Sequence, residues 1–175
     1  MNETIGLIGI GVMGSNIALN FSDNNIPVHV FNRSEDKINS LIDKDSKGNI
    51  TGTTDIQNFV NNLPKPRKIL MLIPSGKPTL DMAKKLIEHL EPNDILIDGG
   101  NAYYLDSNKL GEICSRKEIE FVGMGVSGGE EGARKGPALM IGSSNPINNE
   151  LKNSLSSIAA IFNNKPSIGF YKGHG

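Results

Sequence analysis

The chain has 175 residues, of which 37% are hydrophobic and 21% charged, a balance that excludes a disordered or fibrous protein. With 18 basic and 19 acidic residues, it lacks the global basic field that would gather nucleic acid or an anionic membrane. The one cysteine, Cys114, excludes an intramolecular disulfide framework and a cysteine-based zinc site. No basic segment precedes the first apolar run, and no apolar run reaches about 18 residues. We therefore expect a cytoplasmic domain without a nucleic-acid or membrane partner.

Short apolar runs alternate with segments of helical periodicity along nearly the whole chain. The runs predict strands at residues 4–10, 28–31, 50–53, 69–73, 95–98, 119–122 and 138–141. The helical segments between and after them are marked by apolar residues spaced three or four apart. These residues are Met13, Ile17 and Phe21; Ile38, Leu41 and Ile42; Ile56, Phe59, Val60 and Leu63; Leu80, Ala83, Ile87 and Leu90; Leu110, Ile113 and Cys114; and Leu151, Leu155, Ile158, Ala159 and Phe162.

This alternation predicts an α/β fold with right-handed crossovers: a doubly wound, mainly parallel sheet with helices on both faces. Ser34 stands where one helix N-cap is expected, and Thr54 or Asp55 stands where another is expected. The closing residues 166–175 are rich in glycine and carry neither a cap nor a terminal helix pattern. We expect residues 1–175 to be one domain cut from a larger protein.

A glycine-rich loop follows the first predicted strand and opens the first predicted helix. It consists of Gly9, Ile10, Gly11, Val12, Met13 and Gly14. In a G-x-G-x-x-G loop, the first glycine makes a tight turn, the second lets the backbone approach a pyrophosphate, and the third lets helix and strand pack closely. The helix N-terminus offers free N–H groups and partial positive charge to the phosphates. The loop predicts a dinucleotide site in a Rossmann-type sheet; a structural turn without a ligand is the alternative.

The residues that follow the second predicted strand indicate which dinucleotide binds. NAD-specific domains carry an acidic residue about 20 residues beyond the glycine loop, where it binds the ribose 2′-hydroxyl. This chain has Arg33 instead, a permanently charged planar group suited to a phosphate. Asn32 and Ser34 can donate to the same phosphate oxygens, and Lys37 lies one helical turn further on. The sequence therefore predicts NADP, unless Arg33 pairs with the acidic residues at 35 and 36.

Two further clusters follow predicted strands, at the edge where open α/β sheets bind ligands. The first is a DGGN sequence that ends at Asn101, whose amide both donates and accepts hydrogen bonds, although this sequence also suits an ordinary turn. The second, residues 123–134, has five glycines in twelve residues. Ordering so many glycines costs much conformational entropy, so we expect the segment to have a role beyond packing. There Ser127 and the amides of Gly128 and Gly129 form a nest suited to a carboxylate or hydroxyl.

Together these motifs resemble one enzyme family. The amino-terminal GLIGIGVMGSNIALN is similar to the β-hydroxyacid dehydrogenases. FNRS, DGGN and GVSGGEEGARKGPALM resemble the 6-phosphogluconate dehydrogenases specifically, and the likeness covers essentially the whole chain. It corresponds to the coenzyme domain of those enzymes without their large helical domain. The chain departs from the family at Pro74, where lysine is usual, and at residues 141–143, where Pro-Gly-Gly is usual.

The resemblance implies a role for each motif. Residues 9–14 would hold the NADP pyrophosphate, and Asn32, Arg33 and Ser34 would hold its 2′-phosphate. The other implied ligands are Ile73, Pro74 and Ser75 for the coenzyme, Asn101 for both coenzyme and substrate, and Ser127, Gly128 and Gly129 for the substrate near its carboxylate.

The chemistry that the resemblance implies is oxidative decarboxylation of 6-phosphogluconate to ribulose 5-phosphate, with reduction of NADP and without a metal. The lysine base and glutamate acid of the family would lie beyond Gly175, so no residue of this chain is assigned to catalysis. The full-length protein would be a homodimer, and this fragment alone would be inactive. Two alternatives stay open: another β-hydroxyacid dehydrogenase, of the hydroxyisobutyrate or tartronate semialdehyde type, and a non-catalytic nucleotide-binding module. The SGGEEGARKGP extension argues against the former.

Other polar residues are interpreted as structural. His29 lies in a predicted strand, His89 in a helix, and Cys114 on an apolar helix face. The lysines at 84 and 85 are interpreted as a solvated helix face. The glutamates at 130 and 131 are expected to stabilise a helix N-terminus rather than to act as paired catalytic carboxylates. His174 lies in the closing segment and is assigned no role.

Overall fold

The computed structural model describes residues 3–173, which form an eight-stranded sheet covered by helices. The strands of this sheet are β1 (Ile5–Ile8), β2 (Val28–Phe31), β3 (Ile50–Thr53), β4 (Lys68–Met71), β5 (Ile95–Asp98), β6 (Glu120–Ser127), β7 (Ala138–Ser143) and β10 (Ile168–Lys172). A separate hairpin pairs β8 (Ile161–Phe162) with β9 (Lys165–Pro166). The helices are α1 (Val12–Asp23), α2 (Glu35–Ile42), α3 (Ile56–Asn61), α4 (Lys77–Ile87), α5 (Tyr104–Ser115), α6 (Gly129–Lys135) and α7 (Asn149–Ile158).

The strand order confirms the predicted doubly wound, mainly parallel sheet. The order is β10-β7-β6-β5-β4-β1-β2-β3, and in this sheet the β6–β7 pair is antiparallel while its other neighbouring strands run parallel. The chain winds from β1 outward through β2 and β3, then returns to place β4, β5 and β6 on the other side of β1. The crevice between the carboxyl ends of β1 and β4 is therefore the switch point, where such sheets bind ligands.

Apolar residues of the central strands alternate between two hydrophobic layers. Leu7, Leu70 and Ile97 pack with helices α1, α2, α6 and α7 on one face of the sheet. Their neighbours Ile8 and Met71 pack with helices α3, α4 and α5 on the opposite face. Because both faces are covered, these short strands are apolar at consecutive positions rather than at alternate ones. Within residues 3–173, no helix is both long and apolar enough to cross a bilayer.

Strand β6 is longer than the sequence pattern predicts. Its second half continues through Gly123 and Gly125 to Ser127, a stretch expected to be loop. Strand β7 folds back beside it and supplies antiparallel partners, with Gly125 opposite Met140. A β-carbon at residue 125 would lie 2.7 Å from the Met140 side-chain methyl, so a larger residue there would require that flexible side chain to move. Here a tertiary neighbour overrides the weak strand propensity of glycine.

The closing part of the chain also departs from expectation. Helix α7 ends at Ile158, and Phe162, expected on that helix, lies in hairpin strand β8 with 71% of its surface exposed. Asn163 and Asn164, both with positive φ, form the turn of this hairpin. The segment after Pro166 forms edge strand β10, which pairs in parallel with β7. His174 lies outside the described residues.

The helix caps differ between the two predicted positions. Asp55 caps α3, since its carboxylate accepts a hydrogen bond from the Asn58 backbone N–H at 2.6 Å. Ser34 occupies the N-cap position of α2, but its side chain makes no cap hydrogen bond. Ile42, expected on the buried face of α2, is 37% exposed at the end of the helix.

Candidate coenzyme-binding site

The three glycines of the first loop differ in what surrounds them. Gly9 has φ +93°, and a β-carbon there would lie 2.5 Å from the Leu72 carbonyl oxygen. A β-carbon on Gly14 would lie 1.8 Å from the Gly9 carbonyl oxygen. At Gly11, by contrast, nothing lies within 4 Å of that position, and φ is an ordinary −72°. The fold itself therefore requires glycine at 9 and 14, whereas Gly11 faces open space that a ligand can enter.

Helix α1 begins beside that open space. Gly11 occupies its N-cap position without a side-chain cap, and the hydroxyl of Ser15 donates to the Ile10 carbonyl at 3.0 Å. The first N–H groups of a helix have no acceptors within the helix, and they carry the positive end of its dipole. Ile10, Gly11 and Val12 line a cavity of about 540 Å³ between α1 and α2, while Met13 packs against the core instead. The loop thus presents anion-binding groups to a cavity.

A second cavity, the Arg33 cavity, lies on the other side of the loop at the carboxyl ends of β1, β2 and β4. Its volume is about 350 Å³. It brings together five residues that the sequence assigns to the coenzyme, although they come from three separate segments. These residues are Gly9, Asn32, Arg33, Ile73 and Pro74. Ser75 is exposed in the loop that follows Pro74.

Arg33 is exposed, and no ion pair between residues in the 3–173 range involves it. The alternative pairing with the acidic residues at 35 and 36 is therefore not formed. Asn32 is partly engaged, since its side-chain amide donates to the Ser34 carbonyl at 3.2 Å. Ser34 makes no cap hydrogen bond to α2. A free guanidinium thus stands where an NAD-specific domain would carry an acid.

Two exposed lysines lie at the cavities on either side of the glycine loop. Lys37, expected as a further cation one helical turn beyond Arg33, lines the cavity between α1 and α2 together with Gly11. Lys85, interpreted from the sequence as part of a solvated helix face, lines the Arg33 cavity. The sequence pattern contains no signal for Lys85, because that contact depends on how α4 sits beside β2.

Asn101 lies at a third cavity, of about 280 Å³, over strands β6, β7 and β10. It has φ +57° and is exposed. Asp98 lines the same cavity but is only 3% exposed; one carboxylate oxygen accepts a hydrogen bond from the Gly100 N–H at 3.0 Å. Its other oxygen is buried and has no hydrogen-bond partner among residues 3–173, and burial raises the pKa of this carboxyl. An acid at the end of an apolar strand was the available sequence signal for Asp98.

The turn at residues 127–129 lies at the end of β6, outside the three cavities above. Gly128 and Gly129 have φ +134° and +61°, and all three residues are exposed. Helix α6 follows directly and packs beside α1, where Arg134 forms an ion pair with Asp23 at 2.5 Å. Glu130 and Glu131 occupy the first turn of α6, as predicted for a helix N-terminus, and Glu130 reaches the cavity beside Gly11. The packing of α6 thus places the 127–129 turn near the glycine loop.

Of the residues interpreted as structural, His29 and Cys114 are packed in the interior, whereas His89 is half-buried. His29 stacks on Phe59 with ring centroids 5.6 Å apart, its Nδ1 lies 2.8 Å from the Thr51 hydroxyl, and burial lowers its pKa. Cys114 is fully buried, which raises the pKa of its thiol to about 12. Within the described part of the chain, no three His, Cys, Asp or Glu side chains come together as a metal site.

A glycine loop at the switch point of a Rossmann-type sheet defines a dinucleotide-binding domain. The sequence model for the NAD binding domain of 6-phosphogluconate dehydrogenase matches residues 4–169, and the chain belongs to this family. The resemblance found in the sequence motifs is thereby confirmed.

Relatives support this assignment across nearly the whole chain. The "6-phosphogluconate dehydrogenase, decarboxylating 2" of Saccharomyces cerevisiae is 44% identical over 163 residues, which is 93% of this chain and 33% of that protein. The "6-phosphogluconate dehydrogenase, NADP(+)-dependent, decarboxylating" of Bacillus subtilis is 42% identical over 164 residues, which is 94% of this chain and 35% of that protein. This chain therefore spans about a third of the length of these relatives.

Solved structures agree with the fold. Plasmodium falciparum 6-phosphogluconate dehydrogenase, studied as the apo form and with NADP+ and 6-phosphogluconate, superposes with a TM-score of 0.89 and 36% identity over 95% of this chain and 36% of that chain. The 3-hydroxyisobutyrate dehydrogenase of Salmonella typhimurium reaches a TM-score of 0.80 with 13% identity, over 98% of this chain and 57% of that one. At that identity the second likeness shows the fold alone.

Proposed function

We propose that this chain is the NADP-binding domain of a decarboxylating 6-phosphogluconate dehydrogenase. One observation carries the proposal: in a chain of this family, an unpaired Arg33 opens onto a cavity at the carboxyl end of β2. The 2′-phosphate that distinguishes NADP from NAD requires a cation at this point. The NADP(+)-dependence stated for the Bacillus subtilis relative supports the same coenzyme.

The open space at Gly11 supports the proposal, because a dinucleotide needs room for its pyrophosphate beside the glycine loop. A β-carbon there would have no atom of residues 3–173 within 4 Å apart from its chain neighbours, so the fold leaves room where the pyrophosphate would lie. In the proposal, residues 9–14 hold the pyrophosphate through the N-terminal N–H groups of α1. The remaining coenzyme ligands would be Asn32, Arg33 and Ser34 at the 2′-phosphate, Lys37 as a nearby cation, and Ile73, Pro74, Ser75 and Asn101 along the rest of the molecule.

The bound coenzyme would supply the acceptor for a hydride from the sugar acid. This chain's residues would position the reactants. Asn101, Ser127, Gly128 and Gly129 would bind 6-phosphogluconate on one side, with the amide of Asn101 shared between substrate and coenzyme. The positive φ values at residues 101, 128 and 129 shape the turns that present these groups. Substrate held in this way gains reactivity by orientation.

The acid–base groups of the reaction are proposed to lie outside this chain. The chain spans about a third of the length of its relatives, which leaves room for a substrate-covering domain elsewhere in the whole protein. We place the whole enzyme in the cytoplasm as a homodimer. Residues 1–175 would then act as one coenzyme-binding domain.

A direct binding comparison tests the proposal. We would titrate the protein with NADPH and with NADH by calorimetry, and expect clearly tighter binding of NADPH. Arg33→Ala should remove most of that preference. Equal affinity for the two coenzymes in the unmutated protein would contradict the proposal.

A further inference from the structure

We propose that Lys85 is a second specificity residue, which lies opposite Arg33 and binds the 2′-phosphate of the coenzyme with it. The inference rests on the proposed function, since it concerns the dinucleotide assigned to the Arg33 cavity. Lys85 lines that cavity from helix α4, whereas Arg33 lines it from the end of β2. Two cations from separate elements therefore face one space.

The orientation of α4 brings the Lys85 ammonium toward the ligand edge of the sheet. Helix α4 follows β4, so its N-terminus lies near the carboxyl ends of the strands. Its buried face, which includes Ala83 and Leu86, anchors it to the sheet and leaves Lys85 exposed. Long side chains on a helix lean back toward its N-terminus. The side chain of Lys85, near the carboxyl end of α4, thus extends back along the helix toward the cavity.

The charges around the cavity favour an anion. The ionisable residues lining it are Arg33, Asp81 and Lys85. Asp81 forms an ion pair with Lys77 at 2.7 Å, one turn away on the same helix, and it also interacts with the charge of Lys85. Neither Arg33 nor Lys85 takes part in any ion pair among residues 3–173. With two cations and one carboxylate among its lining residues, the cavity carries a net positive charge.

The remaining lining of the cavity strengthens the field of these charges. Ile8, Phe31, Ile73 and Met82 contribute apolar walls. A cleft with one sign of charge and low-dielectric walls focuses its field on the ligand within it. A phosphate monoester carries roughly two negative charges near neutral pH, which two cations match. NAD lacks this group, so Lys85 should favour NADP specifically.

The two cations differ in what they provide. The Arg33 guanidinium binds a phosphate with a planar, two-pronged geometry, whereas the Lys85 ammonium acts as a compact point charge on a flexible stem. Charge at residue 85 should therefore matter more than its shape. Lys85→Arg should keep the preference for NADP, and Lys85→Met should weaken it.

Lys84 offers a matched control. It is exposed, lies next to Lys85 on α4, and is not among the residues that line the Arg33 cavity. Lys84→Met and Lys85→Met change the net charge equally and remove the same kind of side chain from the same helix. A difference in NADPH affinity between the two variants therefore reports the effect of where the charge lies on the helix.

The experiment titrates the unmutated protein and the variants Lys85→Met, Lys85→Arg and Lys84→Met with NADPH and NADH by calorimetry. We expect Lys85→Met to weaken NADPH binding about tenfold, which is about 1.4 kcal/mol, with NADH binding unchanged. Lys85→Arg and Lys84→Met should bind both coenzymes as the unmutated protein does. Thermal unfolding of each variant checks that the fold is intact.

The two possible failures are distinguishable. If the unmutated protein binds NADPH and NADH equally, the proposed function fails and this inference fails with it. If the unmutated protein prefers NADPH and Lys85→Met retains that preference, the inference alone is overturned. Equal weakening of both coenzymes by Lys85→Met also overturns it, because it would place Lys85 on a part of the ligand that both coenzymes share.

Discussion

The carbonyl oxygen of Gly9 occupies the place that a β-carbon on Gly14 would need, 1.8 Å from its ideal position. The start of α1 is thus pressed against the loop that precedes it, with no room for any side chain between them. This contact fixes the direction of α1, and with it the direction in which its N-terminal N–H groups point. The geometry of the proposed pyrophosphate site therefore depends on the absence of a side chain at Gly14, which the packing of the protein itself requires.

Gly14→Ala should destabilise the protein. The added methyl would collide with backbone, which cannot move aside as a flexible side chain can. Overpacking of this kind costs roughly 1–3 kcal/mol. Urea unfolding should show a lower midpoint than the unmutated protein. An unchanged midpoint would mean that α1 shifts without cost, contrary to the close packing described above.

Gly11→Val should have the opposite profile. Residue 11 has an ordinary backbone conformation and open space around the missing β-carbon, so the fold should be retained. The valine would instead occupy the space proposed for the pyrophosphate. We expect loss of NADPH binding with an unfolding midpoint near that of the unmutated protein. Normal NADPH binding by a folded Gly11→Val variant would show that the loop is only a turn.

Arg33→Ala should weaken NADPH binding and leave NADH binding little changed. Removing one charged partner of a phosphate costs about 1.5–3 kcal/mol. Arg116→Ala provides the control, because Arg116 is an exposed arginine at the C-cap of α5, and it does not line the Arg33 cavity. Calorimetry should separate the two variants. A similar loss of NADPH affinity in both variants would show that the effect comes from the change in net charge and not from the position of Arg33.

His29 should make the protein less stable in acid. Burial lowers its folded pKa below the ordinary value near 6.5, so the unfolded chain takes up the proton first. The free energy of unfolding should therefore fall as the pH drops below about 6.5. His29→Phe, which keeps an aromatic ring against Phe59, should have a flatter dependence over that range. Urea unfolding at a series of pH values checks this, and parallel curves for the two proteins would contradict it.

Asp98 should have the opposite pH dependence. Burial raises its folded pKa, so the folded protein holds this proton more tightly than the unfolded chain does. Stability from this group is therefore lost as the pH rises from about 4 through the folded pKa. Asp98→Asn keeps an acceptor for the Gly100 N–H but cannot ionise. The stability of the unmutated protein relative to Asp98→Asn should decrease across that rise, and a constant difference would contradict the expectation.

Local patterns were sufficient for the central strands and the glycine loop. Strands β2, β3 and β5 have the predicted bounds, because short apolar runs flanked by polar turns carry their signal within a few residues. The close packing around Gly9 and Gly14 could also be predicted locally, because it follows from the strand–turn–helix context of the motif.

The features that the sequence pattern missed depend on distant neighbours. The second half of β6 is glycine-rich and forms a strand because β7 lies beside it. Strand β10 lies at an exposed sheet edge, so its residues carry no buried apolar pattern. Lys85 reaches the Arg33 cavity only because α4 packs against the sheet near β2. These contacts exist only in the assembled fold. The sequence immediately around β6, β10 or Lys85 therefore contains no signal for them.

The chain by itself should bind NADP and yet fail to turn over 6-phosphogluconate. The sheet and its two hydrophobic layers lie within residues 3–173, so we expect the chain to fold and to bind coenzyme on its own. The motifs are proposed to bind the coenzyme and one side of the substrate, and none of them is proposed to provide a base for the sugar hydroxyl. Acid–base assistance of that kind contributes about 10²–10⁴-fold to a rate. Mixing the protein with NADP+ and 6-phosphogluconate should produce no reduced coenzyme by absorbance, although calorimetry detects NADPH binding. Turnover comparable to that of a full-length relative would contradict the prediction and would locate a base within this chain.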